Sequence, residues 1–198
     1  SDTLATFPGM VRRQATLYQD DQLTVVEDYA HHPTEINALI ECLRTKEPDK
    51  QLVVVFQPHR YSRTLQFKFE FAHSLQSVDA VYLLPVYAAH ESELAGGKSA
   101  DLANAFTDRA PVEIEMSMAG MRQLQEAIKD SPTQLAFVGA GDIEEFAAAF
   151  TSWFRASASS GKVSSPEPAG LTTNLDAAWV DYLSPRVSPD CKLKSHEP

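Results

Sequence analysis

Cysteine is scarce in this sequence, with only Cys42 and Cys191 among 198 residues. The two lie far apart and form neither a disulfide framework nor the paired spacing of a zinc knuckle. A small secreted fold held together by disulfides is therefore excluded. We expect a cytoplasmic protein that works in a reducing compartment.

Long apolar runs and positive charge are also lacking. No stretch is apolar over enough residues to span a bilayer, and no signal-peptide pattern opens the chain, so we expect no membrane partner. Lys and Arg number 17 against 27 Asp and Glu, which gives a net charge of -10. Nucleic-acid binding needs clustered positive charge, so we expect no nucleic-acid partner, although a local pair of arginines can still bind a small anion.

The remaining composition is that of a globular protein, with 43% hydrophobic and 22% charged residues. The length suits one domain with a piece of another. Because the chain opens with Ser1 and not with methionine, we expect it to be cut from a longer protein. Shifts in composition predict an interdomain linker at 1–10, a folded domain at 11–156, a Ser/Pro/Gly linker at 157–172 and a tail at 173–198.

A polar step at residues 19–22 between two apolar runs predicts an N-terminal β-hairpin. After it, strand patterns alternate with helical patterns. The predicted strands are 12–18, 23–27, 52–56, 80–84, 112–116 and 135–138, and the predicted helices are 34–45, 62–77, 99–106, 119–129 and 142–154. This alternation predicts an α/β fold, with a three-layer, mostly parallel, doubly wound (Rossmann-like) sheet of about six strands and one antiparallel strand from the hairpin.

Polar residues concentrate in four loops that follow predicted strands. The loops cover residues 28–33, 57–64, 85–97 and 139–142. Ligands of open parallel sheets bind at the carboxyl ends of the strands, so we expect the site to be built from these four loops.

The second of these loops carries two arginines. Arg60 and Arg63 are three residues apart at the start of a predicted helix, so their side chains can share a face. An arginine pair fits a carboxylate or a phosphate, and the N–H groups of a helix start add to such a site. His59 can donate to the same anion or simply fill the loop, and the arginines can equally be solvated or paired with nearby acids.

The first loop carries an acid and two histidines. His31 and His32 are adjacent in an extended segment, so they point in opposite directions and do not share a metal. No spacing resembles a zinc signature, so we predict no metal site and expect His31 to be a hydrogen-bond donor that faces a ligand. Asp28 can accept from a sugar hydroxyl or cap the following helix, and the motif does not separate these two roles.

Two glycine-containing segments match nucleotide-binding motifs only in part. Residues 92–99 end like a phosphate-binding loop, but Ser92 stands where that loop has its first glycine, so we predict a turn. Residues 139–141 supply two glycines of a dinucleotide fingerprint, and Glu144 stands in place of the third. This favours a tight strand-to-helix turn over NAD binding.

Three segments together resemble a known family. They are Asp28-Tyr29-Ala30-His31-His32-Pro33-Thr34-Glu35, Phe56-Gln57-Pro58-His59-Arg60-Tyr61-Ser62-Arg63 and Val138-Gly139-Ala140-Gly141-Asp142-Ile143, and they resemble the C-terminal domain of the Mur ligases. The resemblance runs in order from about Phe7 to Phe154. The loop at residues 59–63 is similar to that of the family members that add L-alanine to UDP-N-acetylmuramate.

This resemblance implies an ATP-dependent amide ligase of peptidoglycan synthesis. In the family, ATP with Mg2+ activates the carboxylate of UDP-N-acetylmuramate, and the C-terminal domain closes on the central domain and delivers L-alanine. The match implies an alanine site formed by Tyr29, His31, His59, Arg60 and Arg63. It also implies that Asp28 faces the ribose of ATP and that Arg13 faces a nucleotide phosphate.

The phosphate-binding loop and the UDP-binding domain of the family are not found in this sequence. The resemblance therefore implies that no complete catalytic set is present, that ATP and Mg2+ bind mainly to a central domain in cis, and that the chain is inactive alone. The segment at 183–198 is faintly similar to the opening of UDP-N-acetylenolpyruvoylglucosamine reductase (MurB), from which we hypothesise a fused reductase domain.

Two alternatives to a ligase domain stay open. One is a non-catalytic α/β module that closes on a small carboxylate or a nucleotide. The other is a stand-alone nucleotide oxidoreductase, which depends on the incomplete glycine motif at residues 139–141.

Overall fold

The computed structural model describes residues 13–159. The predicted linker at 1–10 and the predicted tail at 173–198 lie outside these residues, as does most of the predicted linker at 157–172. The last helix continues to Ser159, so it includes the first residues of that linker.

Within residues 13–159, six strands form one sheet. In chain order they are β1 Ala15–Gln19, β2 Leu23–Asp28, β3 Gln51–Phe56, β4 Ala80–Leu83, β5 Val112–Glu113 and β6 Thr133–Val138. Their order across the sheet is β1-β2-β6-β3-β4-β5; β1 pairs antiparallel with β2, and the other pairs are parallel. The predicted, mostly parallel sheet with one antiparallel hairpin strand is confirmed.

Five helices in the same range cover the two faces of the sheet: α1 Pro33–Lys46, α2 Tyr61–Leu75, α3 Ser99–Ala103, α4 Met118–Ile128 and α5 Ile143–Ser159. Apolar residues of α1, α2 and α3, such as Leu39, Phe71 and Leu102, share one core cluster with alternate residues of the strands. On the opposite face, the ring of Phe137 in β6 lies 5.8 Å from that of Phe146 and 5.7 Å from that of Phe150 in α5. The predicted three-layer α/β architecture is therefore confirmed.

The central strand β3 shows why both faces need helices. Val53, Val54 and Val55 are buried at 1%, 1% and 0% exposure. Successive residues of a strand point to opposite faces, so burial of all three requires a layer on each side of the sheet. None of the helices within residues 13–159 combines enough length with enough apolar character to pass through a bilayer.

Most element boundaries differ from the prediction by one or two residues, and α5 continues five residues further, to Ser159. Three boundaries show a local cause. β1 begins at Ala15, because Gln14 has a positive φ of 47° and breaks the extended run. β5 is limited to two residues; the N–H of Ile114 makes one more bond to β4, to the carbonyl of Leu83, before the chain bends at residues 116–117 and Ser117 caps α4. Helix α3 ends at Ala103, because the backbone bonds that follow, such as the one from the N–H of Ala105 to the carbonyl of Leu102, close tighter three-residue turns.

Four parallel strands end level with one another. Asp28 of β2 pairs with Val138 of β6, Val138 pairs with Phe56 of β3, and Phe56 pairs with Leu83 of β4. Adjacent strands are about 4.8 Å apart, so the four loops that follow start within roughly 15 Å of one another. The four loops selected from the sequence therefore do leave the same edge of the sheet.

Candidate functional site

The loops after β3 and β4 are joined by their backbones. The N–H of Tyr87 donates to the carbonyl of Pro58, and the N–H of Arg60 donates to the carbonyl of Tyr87, both at 2.8 Å. His59 and Tyr87 form a one-residue parallel bridge. The histidine-arginine loop is thus held in place by an extension of the sheet beyond the ends of its strands.

The loops after β3 and β6 are joined through the side chain of Gln57. Its amide nitrogen donates to Asp142 Oδ1 at 2.6 Å, and its amide oxygen accepts from the N–H of Ile143 at 3.1 Å. Gln57 is 2% exposed. It therefore fills the first turn of α5, the position where a dinucleotide-binding fold holds a pyrophosphate.

The two glycines of the incomplete fingerprint are explained by this packing. A Cβ on Gly139 would lie 2.9 Å from the carbonyl oxygen of Gln57, and a Cβ on Gly141 would lie 2.5 Å from the Gln57 amide oxygen. The glycines let two loops pack closely together. This agrees with the predicted tight turn and leaves the oxidoreductase alternative without support.

Two imidazoles from different loops meet in the site. The ring centroids of His31 and His59 are 5.9 Å apart, and the ring of Tyr29 lies 5.3 Å from that of His31. His32 turns away: its ring accepts from the N–H of Thr34 at the start of α1 and lies 4.9 Å from the ring of Phe67. The prediction that the adjacent histidines point in different directions is met by this geometry.

The site contains buried polar nitrogens that no described residue satisfies. Within residues 13–159, neither Nδ1 of His59 nor Nη1 of Arg63 has a hydrogen-bond partner, although both atoms are shielded from solvent. Burial of a polar group without a partner costs free energy, so such atoms commonly mark the place of a ligand or a water. Two unsatisfied nitrogens close to a second arginine suit an anion with more than one oxygen.

The electrostatics of His59 show which charges surround it. Burial lowers the pKa of His59 below its ordinary value, and the nearby charges of Arg63, His31 and Arg60 lower it further, while Glu91 acts in the opposite direction. Both guanidinium groups are therefore close to His59, on the same edge of the sheet as the imidazoles. An anion bound among them would be attracted by each of these groups.

Arg60 has an unusual backbone. It precedes the first residue of α2 with φ 71° and ψ 135°, a conformation that a residue with a side chain adopts at a cost of about 1–3 kcal/mol. The neighbours hold it there, because its N–H donates to Tyr87 and its carbonyl accepts from the N–H and the hydroxyl of Thr64. The strain places the Arg60 side chain outside the helix, whereas Arg63 lies in its first turn.

Asp28 and Arg13 belong to a second cluster, where the chain enters β1. Asp28 is 3% exposed, and its two oxygens accept from the N–H of Gln14 at 2.8 Å and of Ala30 at 2.7 Å. Arg13 lies 3.7 Å from Asp28 and bonds to Glu35 at 3.0 Å. Asp28 thus ties the incoming segment to the end of β2, and the cap of α1 is provided by His32.

Residues 12–152 match the family described as Mur ligase, glutamate ligase domain. The chain belongs to the Mur ligase family. UDP-N-acetylmuramate–L-alanine ligase of Leuconostoc citreum is 36% identical over 147 residues, which cover 74% of this chain and 32% of that relative. The ligase of the same name from Lactobacillus johnsonii is 38% identical over 147 residues, with the same coverage of 74% and 32%.

A solved structure agrees with this assignment. The UDP-N-acetylmuramate-alanine ligase of Thermotoga maritima superimposes with a TM-score of 0.57 at 27% identity, over 74% of this chain and 30% of that one. The resemblance read from the three sequence segments is therefore confirmed. The Mur ligase domain described here spans 32% of the length of the curated relatives it matches.

The predicted site residues of this Mur ligase domain fall into two groups. Tyr29, His31, His59, Arg60 and Arg63 are brought together at one edge of the sheet. Arg13 and Asp28 lie in the neighbouring cluster, in contact with each other and with Glu35. Their individual roles stay predictions.

Three residues that support the candidate site were not predicted from the sequence: Gln57, Tyr87 and Glu35. Glu35 carries a signal, because it stands three residues after the N-cap of α1, the spacing of a capping box. Gln57 is the first polar residue after a buried strand. No local pattern indicates Tyr87, since its importance comes only from pairing with His59.

A cavity of about 530 Å³ lies beside this site, between the loop after β4 and helices α3 and α4. The segment at 92–99 forms part of its wall as a turn, with Lys98 paired to Glu93, in agreement with the prediction for that segment. None of the buried unsatisfied atoms within residues 13–159 belongs to its lining, so we assign it no ligand.

Nucleotide and metal fit this Mur ligase domain less well than a small anion does. Within residues 13–159, no three His, Cys, Asp or Glu side chains are grouped closely enough to hold a metal ion. Arg13 is 36% exposed at its side chain, but a phosphate must compete with Glu35 for its guanidinium. Asp28 is buried, and a ribose hydroxyl can use only a lone pair that the two backbone N–H groups leave open.

Proposed function

We propose that this chain is the amino-acid-delivering domain of a UDP-N-acetylmuramate–L-alanine ligase of peptidoglycan synthesis, working in the cytoplasm. The main support for this proposal is the pair of buried, unsatisfied nitrogens on His59 and Arg63, with Arg60 close by. The names of the relatives at 36–38% identity support L-alanine as the amino acid.

In this proposal the cluster binds the carboxylate of L-alanine. Arg63 and Arg60 supply charge-assisted hydrogen bonds, and His59 donates through a ring nitrogen. His31 and Tyr29 complete the wall of the pocket and leave the amino group directed away from the cationic cluster, because like charges repel. The residues of this chain thus bind and orient the nucleophile.

ATP supplies the chemistry of activation, by phosphorylating the carboxylate of UDP-N-acetylmuramate. We propose that ATP and Mg2+ bind mainly to a central domain in cis, with Arg13 and Asp28 of this chain at the edge of that site. The complete ligase must then encode a Gly-Lys-Thr/Ser turn upstream of this segment, which the neighbouring coding sequence will reveal. We propose no fused MurB-like reductase, because nothing in the described residues bears on it.

The test uses the complete ligase and the variant Arg63→Ala. A hydrogen bond to a charged group contributes about 1.5–3 kcal/mol, so we expect Arg63→Ala to raise the KM for L-alanine about tenfold or more, with the KM for ATP within about twofold. Arg122→Ala is the matched control, since Arg122 is exposed on α4. An unchanged KM for L-alanine in Arg63→Ala overturns the carboxylate assignment.

The non-catalytic alternative predicts the same anion cluster but no turnover. Measurements on the complete protein distinguish this alternative from a ligase. If L-alanine binds while ATP hydrolysis shows no dependence on L-alanine, the chain is a binding module. Dependence of ATP hydrolysis on both L-alanine and UDP-N-acetylmuramate excludes that alternative.

A further inference from the structure

The ring of Tyr87 covers His59. The two rings are stacked, with centroids 5.4 Å apart and planes inclined by 24°. Tyr87 is 36% exposed, so one part of its ring faces solvent while another faces His59. The contact joins the loop after β4 to the anion cluster in the loop after β3.

The stacking follows from the backbone. Tyr87 and His59 are partners in the parallel bridge, and the hydrogen bonds from Tyr87 to Pro58 and from Arg60 to Tyr87 lie on either side of the pair. Paired residues of neighbouring strands place their side chains on the same side, within contact distance. The position of the Tyr87 ring is therefore fixed by the same hydrogen bonds that hold Arg60 in its strained conformation.

A third loop shapes the space for this ring. A Cβ on Gly141 would lie 2.6 Å from Cγ and 2.7 Å from Cβ of Tyr87. Both distances are shorter than any real carbon contact, so Tyr87 occupies space that only a glycine at position 141 leaves free. Gly141 and His59 thus confine the aromatic side chain between them.

No hydrogen bond within residues 13–159 fixes the Nδ1 side of the His59 ring, so the ring depends on contacts with its neighbours, the rings of Tyr87 and His31. The surrounding charges of Arg63, Arg60 and His31 repel a protonated imidazole. Ring stacking acts on the neutral ring and does not require a hydrogen bond. It can hold the imidazole in a cationic environment before the anion is present.

We propose that Tyr87 is a positioning residue for L-alanine binding: stacked on His59 and seated over Gly141, it holds the His59 ring with Nδ1 directed into the anion cluster. The proposal rests on the proposed function for the identity of the anion. It goes beyond that function by assigning a role to the loop after β4 and to the second glycine of the incomplete motif.

The first experiment observes the imidazole directly in the 198-residue chain. Tyr87→Leu removes the stacked ring, and Gly141→Ala displaces it together with the Gln57 amide, whose oxygen would lie 2.5 Å from the new Cβ, so both variants should shift the ring carbon and proton NMR signals of His59. Tyr87→Phe retains a stacked ring and should restore the signals toward those of the unchanged chain. Unchanged His59 signals in Tyr87→Leu overturn the proposal. This variant decides the question by itself if Gly141→Ala does not fold.

The second experiment measures kinetics in the complete ligase. Stacking of one aromatic pair corresponds to a change of about three- to tenfold, so Tyr87→Leu and Gly141→Ala should raise the KM for L-alanine by about that factor, with the KM for ATP within about twofold. Gly120→Ala is the control for backbone strain, because its Cβ would lie 2.2 Å from the carbonyl oxygen of Glu115, away from the site. It should lower the unfolding temperature and leave the KM for L-alanine unchanged.

The outcomes separate this proposal from the proposed function. If Arg63→Ala raises the KM for L-alanine and Tyr87→Leu does not, the anion site stands and the role of Tyr87 is wrong. If Arg63→Ala also leaves that KM unchanged, the alanine assignment itself fails. If the KM for L-alanine rises in Tyr87→Leu and returns toward its original value in Tyr87→Phe, the positioning role is supported.

Discussion

The carboxylate of Glu35 is hydrogen-bonded to the backbone of His31 and lies beside its ring, whose Nδ1 is 3.0 Å from the carbonyl of Tyr29. Its Oε2 accepts a hydrogen bond from the backbone N–H of His31 at 3.0 Å and lies 3.5 Å from the ring Nδ1 of the same residue. Its Oε1 accepts from Arg13 at 3.0 Å. Glu35 therefore connects the segment through which the chain enters the sheet to a histidine of the anion site.

Glu35→Ala should remove both the acceptor and the charge, and we expect a loss of about 1–2 kcal/mol in the free energy of unfolding. Glu35→Gln keeps an oxygen for the N–H of His31, so it should lose less than about 1 kcal/mol, because the pair with Arg13 is partly exposed. Urea unfolding measures both. Glu41→Ala, an exposed acid on the same helix, is the control, and an equal loss there would contradict the role of Glu35.

Replacement of Arg60 should separate stability from binding. Glycine adopts the positive φ of 71° without strain, so Arg60→Gly should be more stable than Arg60→Ala by about 1–2 kcal/mol in urea unfolding. Both variants lack the guanidinium, and both should raise the KM for L-alanine in the complete ligase. Equal stability of the two variants would show that the backbone at this position is not strained.

The pKa of His59 gives a prediction with a defined sign. Burial, then the charges of Arg63, His31 and Arg60, hold this pKa in the folded protein below the ordinary 6.5, against the weaker effect of Glu91. The unfolded chain therefore binds the proton more tightly. The resulting loss of stability is absent above pH 6.5 and grows as the pH falls through the folded-state pKa.

Binding of a carboxylate should reverse this shift. The anion offsets the repulsion from the two arginines, so saturating L-alanine should raise the pKa of His59 in an NMR titration. By linkage, L-alanine should then bind more tightly as the pH is lowered through that pKa. His59→Gln removes the titrating group and should abolish this part of the pH dependence. A fall in the pKa on binding would exclude a carboxylate next to His59.

Asp28→Asn should destabilise the domain. Asp28 accepts from two backbone N–H groups, and an asparagine amide must turn its NH2 toward one of them. We expect a loss of about 1–3 kcal/mol in urea unfolding, with exposed Asp21→Asn as the control.

The same variant tests the proposed ribose contact. If Asp28 faces the ribose, the KM for ATP in the complete ligase should rise in Asp28→Asn while the KM for L-alanine stays within about twofold. A stability loss with no change in the KM for ATP would leave Asp28 a purely structural role.

The sequence predicts the layers of this fold well, because burial leaves a clear pattern. The valines of β3 are apolar without alternation, and the buried residues of α1, Ile36, Leu39, Ile40 and Leu43, recur at helical spacing. Boundaries are less predictable where geometry depends on single contacts, as at Gln14, whose N–H is bound by Asp28 from the next strand. The order of the strands depends on packing between distant segments and leaves no local pattern.

Part of the candidate site is predictable because it also leaves local patterns in the sequence. The strand end marks Asp28, and the arginine spacing marks Arg60 and Arg63. Gln57 also follows a strand, but its role is visible only in its bonds to Asp142 and Ile143. The support of the site is not predictable, because Tyr87 reaches His59 only through the bridge between two loops, and Arg13 reaches Glu35 across 22 positions of the chain. Such contacts exist only once the sheet has formed.

The central position of β6 has a consequence for how this domain is made on the ribosome. Thr133–Val138 is the last strand to be synthesised within the described residues, yet it lies between β2 and β3 and bonds to both. Until it emerges, the hairpin half and the β3-β4 half each present a bare edge of unpaired N–H and C=O groups, the kind of surface that recruits other chains. A nascent chain released before residue 133 would therefore expose two unpaired sheet edges that are prone to aggregation, because the strand that pairs with both would be missing.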